Sequence, residues 1–236
     1  MRLFVVWVLS SNAVAGTGMT ELSVCDTAKR VVWVAVRRFH LGCLYGEPSW
    51  ITRKGPSMRY AILYNSASGN TKQVAEALEH ALRAANAEVA CVQIAPGDAR
   101  TTIDAAGVEG ADAVLVGFWC DKGTCTQEVA DVLAELGGKR VFLFGTAGFG
   151  GAPEYFERIL MGVRAKLPED AEYLGGAMCQ GKMGAGVRRR YEAMLAEKPG
   201  DARIQGMIDN FDAALSHPDD DDLGRIVQTA KQALGL

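Results

Sequence analysis

The chain predicts an α/β protein: a three-layer, doubly wound, five-stranded parallel sheet with extra C-terminal helices. Three observations predict it. From residue 59 onward, short apolar runs alternate with stretches of helical spacing. The runs are continuously apolar, as in strands buried on both faces. Past residue 180 three helical patterns follow one another with no strand between them. Strands that alternate with helices pair in parallel through right-handed crossovers, and the last three helices should cover the sheet rather than form a second domain.

The elements follow in order. "RYAILYN" (59–65) reads as the first strand. Val74, Ala75, Leu78, Ala81 and Leu82 recur at helical spacing and predict a helix over 70–86. "AEVACVQI" (87–94) reads as the second strand, with a short polar helix or turn near 99–107. "ADAVLVGFW" (111–119) is a strongly apolar third strand before a helix over 124–137. "RVFLFGT" (140–146) is the fourth, before a helix over 153–166. "AEYLGGAMCQ" (171–180) is a weaker fifth strand, followed by helices near 186–197, 202–216 and 221–234. The acidic run "HPDDDDL" (217–223) predicts a helix N-terminus, where the helix dipole favours Asp.

Length and composition suit one such domain: 236 residues, 49% hydrophobic and 22% charged. The net charge of −3 hides an asymmetry. Residues 1–57 hold seven Lys and Arg against three Asp and Glu, and residues 58–236 hold eighteen against twenty-five. An acidic body argues against a nucleic-acid binder and suits docking on basic partner surfaces. The six cysteines form no CxxC pair, and the three histidines, at 40, 80 and 217, are scattered, so no metal is expected. Cys91 and Cys179 fall in strand-like runs and read as buried thiols of a reducing, cytoplasmic compartment.

The first 57 residues read differently. "MRLFVVWVLSSNAVAG" has the outline of a short secretory signal, and the apolar run from Val31 to Val36 is too short to span a bilayer. No sustained periodicity precedes Met58. Arg53-Lys54-Gly55 can be encoded by purine-rich codons, as a bacterial ribosome-binding site before Met58 would be. The preferred reading is a poorly structured extension, an upstream translation with the true start at Met58; an export signal and a genuine extension are the alternatives.

In a doubly wound sheet, ligands bind at the carboxyl ends of the strands where strand order reverses. The loop after the first strand holds Ser66, Ser68, Gly69, Asn70 and Thr71. Hydroxyls and backbone N–H groups at a helix N-terminus attract an anion, and Gly69 allows close approach. A simple helix cap by Ser68 or Asn70 is the competing reading. No lysine follows in the P-loop manner and no GxGxxG occurs, which disfavours nucleoside triphosphates and dinucleotides. "GFWCDKGTC" (117–125) follows the third strand, and its Trp could cover a flat ring. "GTAGFGGAPEYF" (145–156) follows the fourth, with four glycines plus Phe149 and Tyr155. A phosphate end and an aromatic end on one sheet edge suit a mononucleotide with a planar ring.

The S-x-S-G-N-T arrangement after the first strand, with these two later loops, resembles flavodoxin and its relatives over about residues 58–180. The resemblance implies strand order 2-1-3-4-5 and FMN as cofactor. It implies that Ser66, Ala67, Ser68, Gly69, Asn70 and Thr71 bind the FMN phosphate, and that Trp119 with Phe149 or Tyr155 flanks the isoalloxazine. It also puts Phe118, Cys120, Asp121 and Gly123 of the second loop and Thr146, Ala147, Gly148 and Gly150 of the third beside the cofactor. "GFWCDKGTC", "GTAGFGG", "CQGKM" (179–183) and "LSHPDDDDL" are similar to a bacterial subgroup that includes the flavodoxin-like partner of bilirubin reductase. Two departures stand out. Many flavodoxins have Gly after the loop tryptophan, where a peptide flips to bond the reduced flavin; here Cys120 has a Cβ that opposes positive φ. The third loop also has glycines in place of the family's acidic residues.

The resulting expectation is an FMN-binding electron-transfer protein serving reductase donor and acceptor partners, with neither nucleic acid nor membrane among them. A stand-alone FMN-dependent reductase of a quinone or tetrapyrrole is the alternative, with Lys182 either a solvated surface lysine or a group that polarises a flavin or substrate oxygen. A phosphate-binding recognition module without redox activity is the third class.

Overall fold

Five parallel strands form the central sheet: β3 (Arg59–Tyr64), β4 (Glu88–Gln93), β5 (Ala113–Trp119), β6 (Arg140–Ala147) and β7 (Glu172–Gln180). In the computed structural model of the chain, residues 22–25, 31–34, 57–150 and 152–236 are described. The spatial order is β4-β3-β5-β6-β7, the expected 2-1-3-4-5 arrangement, with every pair parallel. Order reverses between β3 and β5, so the site loops share the carboxyl edge. Of residues 1–57, the structure describes Ser57 and an antiparallel pair, β1 (Leu22–Cys25) and β2 (Val31–Val34). The expected extension otherwise lies outside the described residues.

Strand parity sorts the core into two clusters. Ala61, Leu63, Val114, Val116, Phe118, Val141 and Leu143 point to one face. There they meet Ile103 of α2 (Ala99–Ala105), Val129, Val132 and Leu133 of α3 (Gln127–Ala134), and Ile159 and Val163 of α4 (Pro153–Arg164). Tyr60, Ile62, Leu115, Phe142 and Phe144 point to the other. They pack on Val74, Leu78 and Leu82 of α1 (Asn70–Ala84) and on Ile226, Ala230 and Leu234 of α7 (Asp220–Leu234). That is the three-layer expectation. Of the three final helices, α7 covers the sheet, but α5 (Ala185–Glu197) and α6 (Ala202–Ala214) pack mainly on each other instead, with their own buried residues Tyr191, Ile204, Ile208 and Phe211.

The acidic run is a helix start as expected. Asp219 caps α7 and accepts from the Asp222 N–H at 2.9 Å, and Asp222 accepts in return from the Asp219 N–H. Cys179 is fully buried, whereas Cys91, on edge strand β4, is only half-buried. Among the described residues no helix is long and apolar enough to cross a membrane.

Candidate functional site

The loop between β3 and α1 turns on Gly69, whose φ of 92° is the left-handed conformation that a Cβ opposes. The positive φ belongs to Gly69 and not to Asn70. Ser66 Oγ faces inward and accepts from the N–H groups of Gly69 (3.1 Å) and Lys72 (3.3 Å). Ser66, rather than Ser68 or Asn70, therefore supplies the cap-like contacts. Gln73 N–H closes the first helical bond onto Gly69 O. Among the described residues the amides of Ser68, Asn70 and Thr71 donate to no protein group. Such a turn of unspent donors at a helix N-terminus has the groups to receive an anion.

Asn70 and Thr71 are buried, Ser68 exposed. Asn70 Nδ2 donates to Lys182 O at 2.9 Å, while its Oδ1 is buried with no partner. A buried carbonyl oxygen without a donor is costly and marks a place where a ligand hydroxyl or water completes the pairing. Thr71 Oγ1 lies 2.9 Å from Thr146 Oγ1, which ties the loop to the end of β6.

The loop after β5 is tight. Asp121 and Thr124 exchange backbone bonds of 2.8 and 3.0 Å, and the residues between them, Lys122 (φ 50°) and Gly123 (φ 90°), take left-handed conformations. Cys120 does not; its N–H continues the ladder to Thr146 O at 2.8 Å. Trp119 Nε1 donates to Asn65 Oδ1 at 2.7 Å, and Asn65 Nδ2 reaches Ile94 O at 3.3 Å, so the indole is held from the neighbouring strand. Burial pushes the Cys120 thiol up from its ordinary value, against contacts from the Gly123 backbone and the Tyr155 hydroxyl that pull it down. It is thus a protonated, weakly reactive thiol at neutral pH.

The glycine loop after β6 is fastened by α6. Asn210 Nδ2 donates to Gly148 O at 3.0 Å, and its Oδ1 accepts from Gln180 Nε2 at 3.1 Å and Gly150 N–H at 3.4 Å. Gln180 Nε2 also reaches Gly148 O at 3.2 Å. A Cβ at Gly150 would come within 2.6 Å of Gln180, and one at Gly148 within 2.7 Å of Met183. A side chain at either position would have to displace Met183 or Gln180.

A cavity of about 560 Å³ joins the three loops. Of the expected site residues, Ala67, Ser68, Asn70, Trp119, Cys120, Gly123, Thr146, Ala147, Gly148, Phe149 and Tyr155 line it. Ser66, Gly69, Thr71, Asp121 and Gly150 shape the loops without lining it. Phe118 is fully buried in the core because strand parity turns it away from Trp119. Sequence reading omitted Gly181, Met183, Gly184 and Val187, which line the cavity beside Lys122 and Lys182. It also omitted Asn65 and Asn210, which hold its walls. His217, Asp219 and Asp222 have ligand atoms within 4.8 Å of one another. They are engaged in the helix cap: His217 Nδ1 meets Asp222 Oδ2 at 2.5 Å, and Arg225 Nη2 donates to Asp222 Oδ1 at 2.7 Å.

Residues 61–231 match the Flavodoxin domain family. The chain is 38% identical over 172 residues to the "Flavodoxin-like domain-containing protein BilS" of Clostridium symbiosum, covering 70% of this chain and 90% of that one. It is 30% identical over 178 residues to the protein of the same description from Clostridioides difficile, covering 75% and 97%. Among solved structures it is similar to two-electron reduced Megasphaera elsdenii flavodoxin, at 26% identity and a TM-score of 0.36 over 51% of this chain and 85% of that one.

Proposed function

The chain belongs to the flavodoxin domain family, among the flavodoxin-like BilS proteins, and on that premise we propose that it binds FMN at the carboxyl edge of the sheet and passes its electrons to a partner protein. The observation that carries the reading is the unspent donor turn at α1 in the same cavity as Trp119, Phe149 and Tyr155. The residues fit the cofactor. The amides of Ser68, Asn70 and Thr71 and the Ser68 hydroxyl would receive the phosphate. Asn70 Oδ1, buried and unpartnered, would accept from a ribityl hydroxyl. Trp119 and Tyr155 would cover the ring and exclude water, and Phe149 would close the outer edge.

When bound, FMN would supply the redox chemistry, a two-electron carrier able to release electrons singly or in pairs. The chain supplies orientation. Asn65 fixes the indole of Trp119, and Asn210 with Gln180 fixes the backbone of the glycine loop. Neither Cys120 nor Tyr155 has a lowered pKa, and burial raises both, so neither is a nucleophile at neutral pH. The acceptor we propose is a reductase, with bilirubin reduction as the reaction served, by the chain's resemblance to that subgroup. Absorbance of the purified chain, identification of the released cofactor, and titration of the flavin-free chain with FMN and riboflavin test the reading. A protein that takes up neither flavin overturns it.

A further inference from the structure

The charge of the cavity is opposite to that of the body around it. Residues 58–236 hold eighteen Lys and Arg against twenty-five Asp and Glu. Yet no carboxylate lines the cavity, and two lysines do, Lys122 and Lys182. Both are exposed, and among the described residues neither forms an ion pair. Their backbones are set. Lys122 occupies the left-handed corner of the Asp121–Thr124 turn. Lys182 donates its N–H to His217 O at 2.9 Å and accepts from Asn70 Nδ2 at 2.9 Å. Phe149, 39% exposed, lines the same cavity.

The nearby carboxylates lie outside the cavity lining: Asp121 adjoins Lys122 in the turn, and Asp219–Asp222 follow His217, whose carbonyl accepts from the Lys182 N–H. Asp219 caps α7 and Asp222 is paired with Arg225 and His217. Asp220 and Asp221 sit in the first turn of α7, against the positive end of its dipole. A cavity of about 560 Å³ is the size for one ligand. With FMN in that cavity, an acceptor protein would meet the flavin at the rim.

We infer that the rim built by Lys122, Lys182 and Phe149 is a docking face for an acidic redox protein. This rests on the FMN reading above. It reverses the expectation from net charge, under which the acidic body selects a basic partner. Local charges within a Debye length of the transfer site, rather than the sum over the chain, set the sign of steering. Each reduced flavin gives two electrons to two one-electron acceptors, and the protons it gained on reduction return to solvent.

The test uses the full chain loaded with FMN, with loading read from absorbance. The flavin is photoreduced, then mixed with ferricyanide or with hexaammineruthenium(III), from about 0.01 to 0.15 M ionic strength. The expected result is a ferricyanide rate that falls several-fold with salt and a ruthenium rate that rises. Lys122→Glu and Lys182→Glu each flatten both slopes, and together reverse them. Lys231→Glu makes the same charge change in the last turn of α7 and leaves the slopes as they were. In parallel, calorimetry at low salt measures binding of an acidic [2Fe–2S] ferredoxin and of basic cytochrome c. Salt-sensitive binding of the ferredoxin, lost in the double variant, is expected. A wild-type ferricyanide rate that rises with salt overturns the inference, as does an equal response to Lys231→Glu. Binding of cytochrome c alone overturns it too, and so does anion preference without ferredoxin binding. Loss of FMN but not riboflavin affinity in Lys182→Glu would assign that lysine to the cofactor phosphate and remove it from the rim. A chain that takes up no flavin fails earlier, at the absorbance step, and overturns both readings.

Discussion

The two ends of the cavity are built in opposite ways. The end proposed to take the anion is six consecutive residues, 66–71: Ser66 Oγ binds the amides three and six residues ahead, and Asn70 and Thr71 tie the loop to Lys182 and Thr146. The aromatic end is assembled from distant segments. Trp119 is held by Asn65, and the glycine loop by Asn210, 62 residues beyond Gly148. The first is contiguous in sequence, while the second depends on the packing of β5, β6, β7 and α6 together. The difference gives each end its own signature on mutation. Changes at the anion end should separate FMN from riboflavin, and changes at the aromatic end should affect both alike.

The largest effect is expected at the anion end. Ser68→Ala should weaken FMN by about 1.5–3 kcal/mol, the value of a hydrogen bond to a charged group, and leave riboflavin nearly unchanged. Ser68 is exposed and acts directly. Thr71 is buried on Thr146, so its alanine leaves a hydroxyl unpaired and should lower stability by about 1–3 kcal/mol. Fluorescence titration with both flavins checks the ratio; equal losses would remove the phosphate assignment.

Next in size is the turn after β5. Its left-handed residues are Lys122 and Gly123, while Cys120 stays in the strand ladder and the Asp121 N–H is bound to Thr124 O. A peptide flip at Cys120 would set a residue with a Cβ in the left-handed region, at roughly 1–2 kcal/mol. Reductive titration of the wild type should therefore accumulate little one-electron-reduced flavin, and Cys120→Gly should raise its yield. Abundant one-electron-reduced flavin in the wild type, unchanged in the glycine variant, would show that another residue makes the contact.

A smaller effect is expected at the aromatic end. Asn65→Leu removes the acceptor of the Trp119 indole N–H and the donor to Ile94 O. About 1 kcal/mol of affinity should be lost for FMN and riboflavin equally. A selective loss of FMN would mean that Asn65 serves the phosphate.

The same contrast explains what the sequence made legible. The five strands of the central sheet follow from apolar runs and most of the helices from helical spacing, because burial imposes those periods directly, whereas α2 reads equally as a turn and the β1–β2 pair lies where no periodicity is sustained. The donor-rich turn before α1 was legible because its donors are contiguous. Lys182 was noticed, yet its exposure at the cavity could not be read from its neighbours. Asn65 reads as an ordinary polar strand end, and Asn210 as one polar residue on an amphipathic helix; only strand order and the packing of α6 bring them to the loops. Phe118 and Trp119 are adjacent in sequence and opposite in fate. Parity places Phe118 in the core once the face of β5 is known, and that signal was available in the alternation of Val114 and Val116 with Leu115.

The smallest effect should come from removing residues 1–57, which we propose to be an extension outside the flavin-binding unit. Residues 54–236 form a compact unit by themselves, and the family match begins at residue 61. A chain beginning at Met58 keeps the Met58 carbonyl that accepts from the Glu88 N–H at 2.8 Å. It loses the bond from Ser57 Oγ to Asn86 O, an exposed contact of 2.8 Å. One such bond contributes about 1 kcal/mol, which in a domain of this size moves Tm by no more than about 4 °C. FMN affinity should be the same in both chains, since no residue before Ala67 lines the cavity among those described. Thermal unfolding followed by flavin fluorescence, on the full and the shorter chain side by side, measures both quantities. A shorter chain that is insoluble, or soluble and colourless while the full chain is yellow, would assign residues 1–57 a structural role and extend the assembled end of the site beyond the sheet.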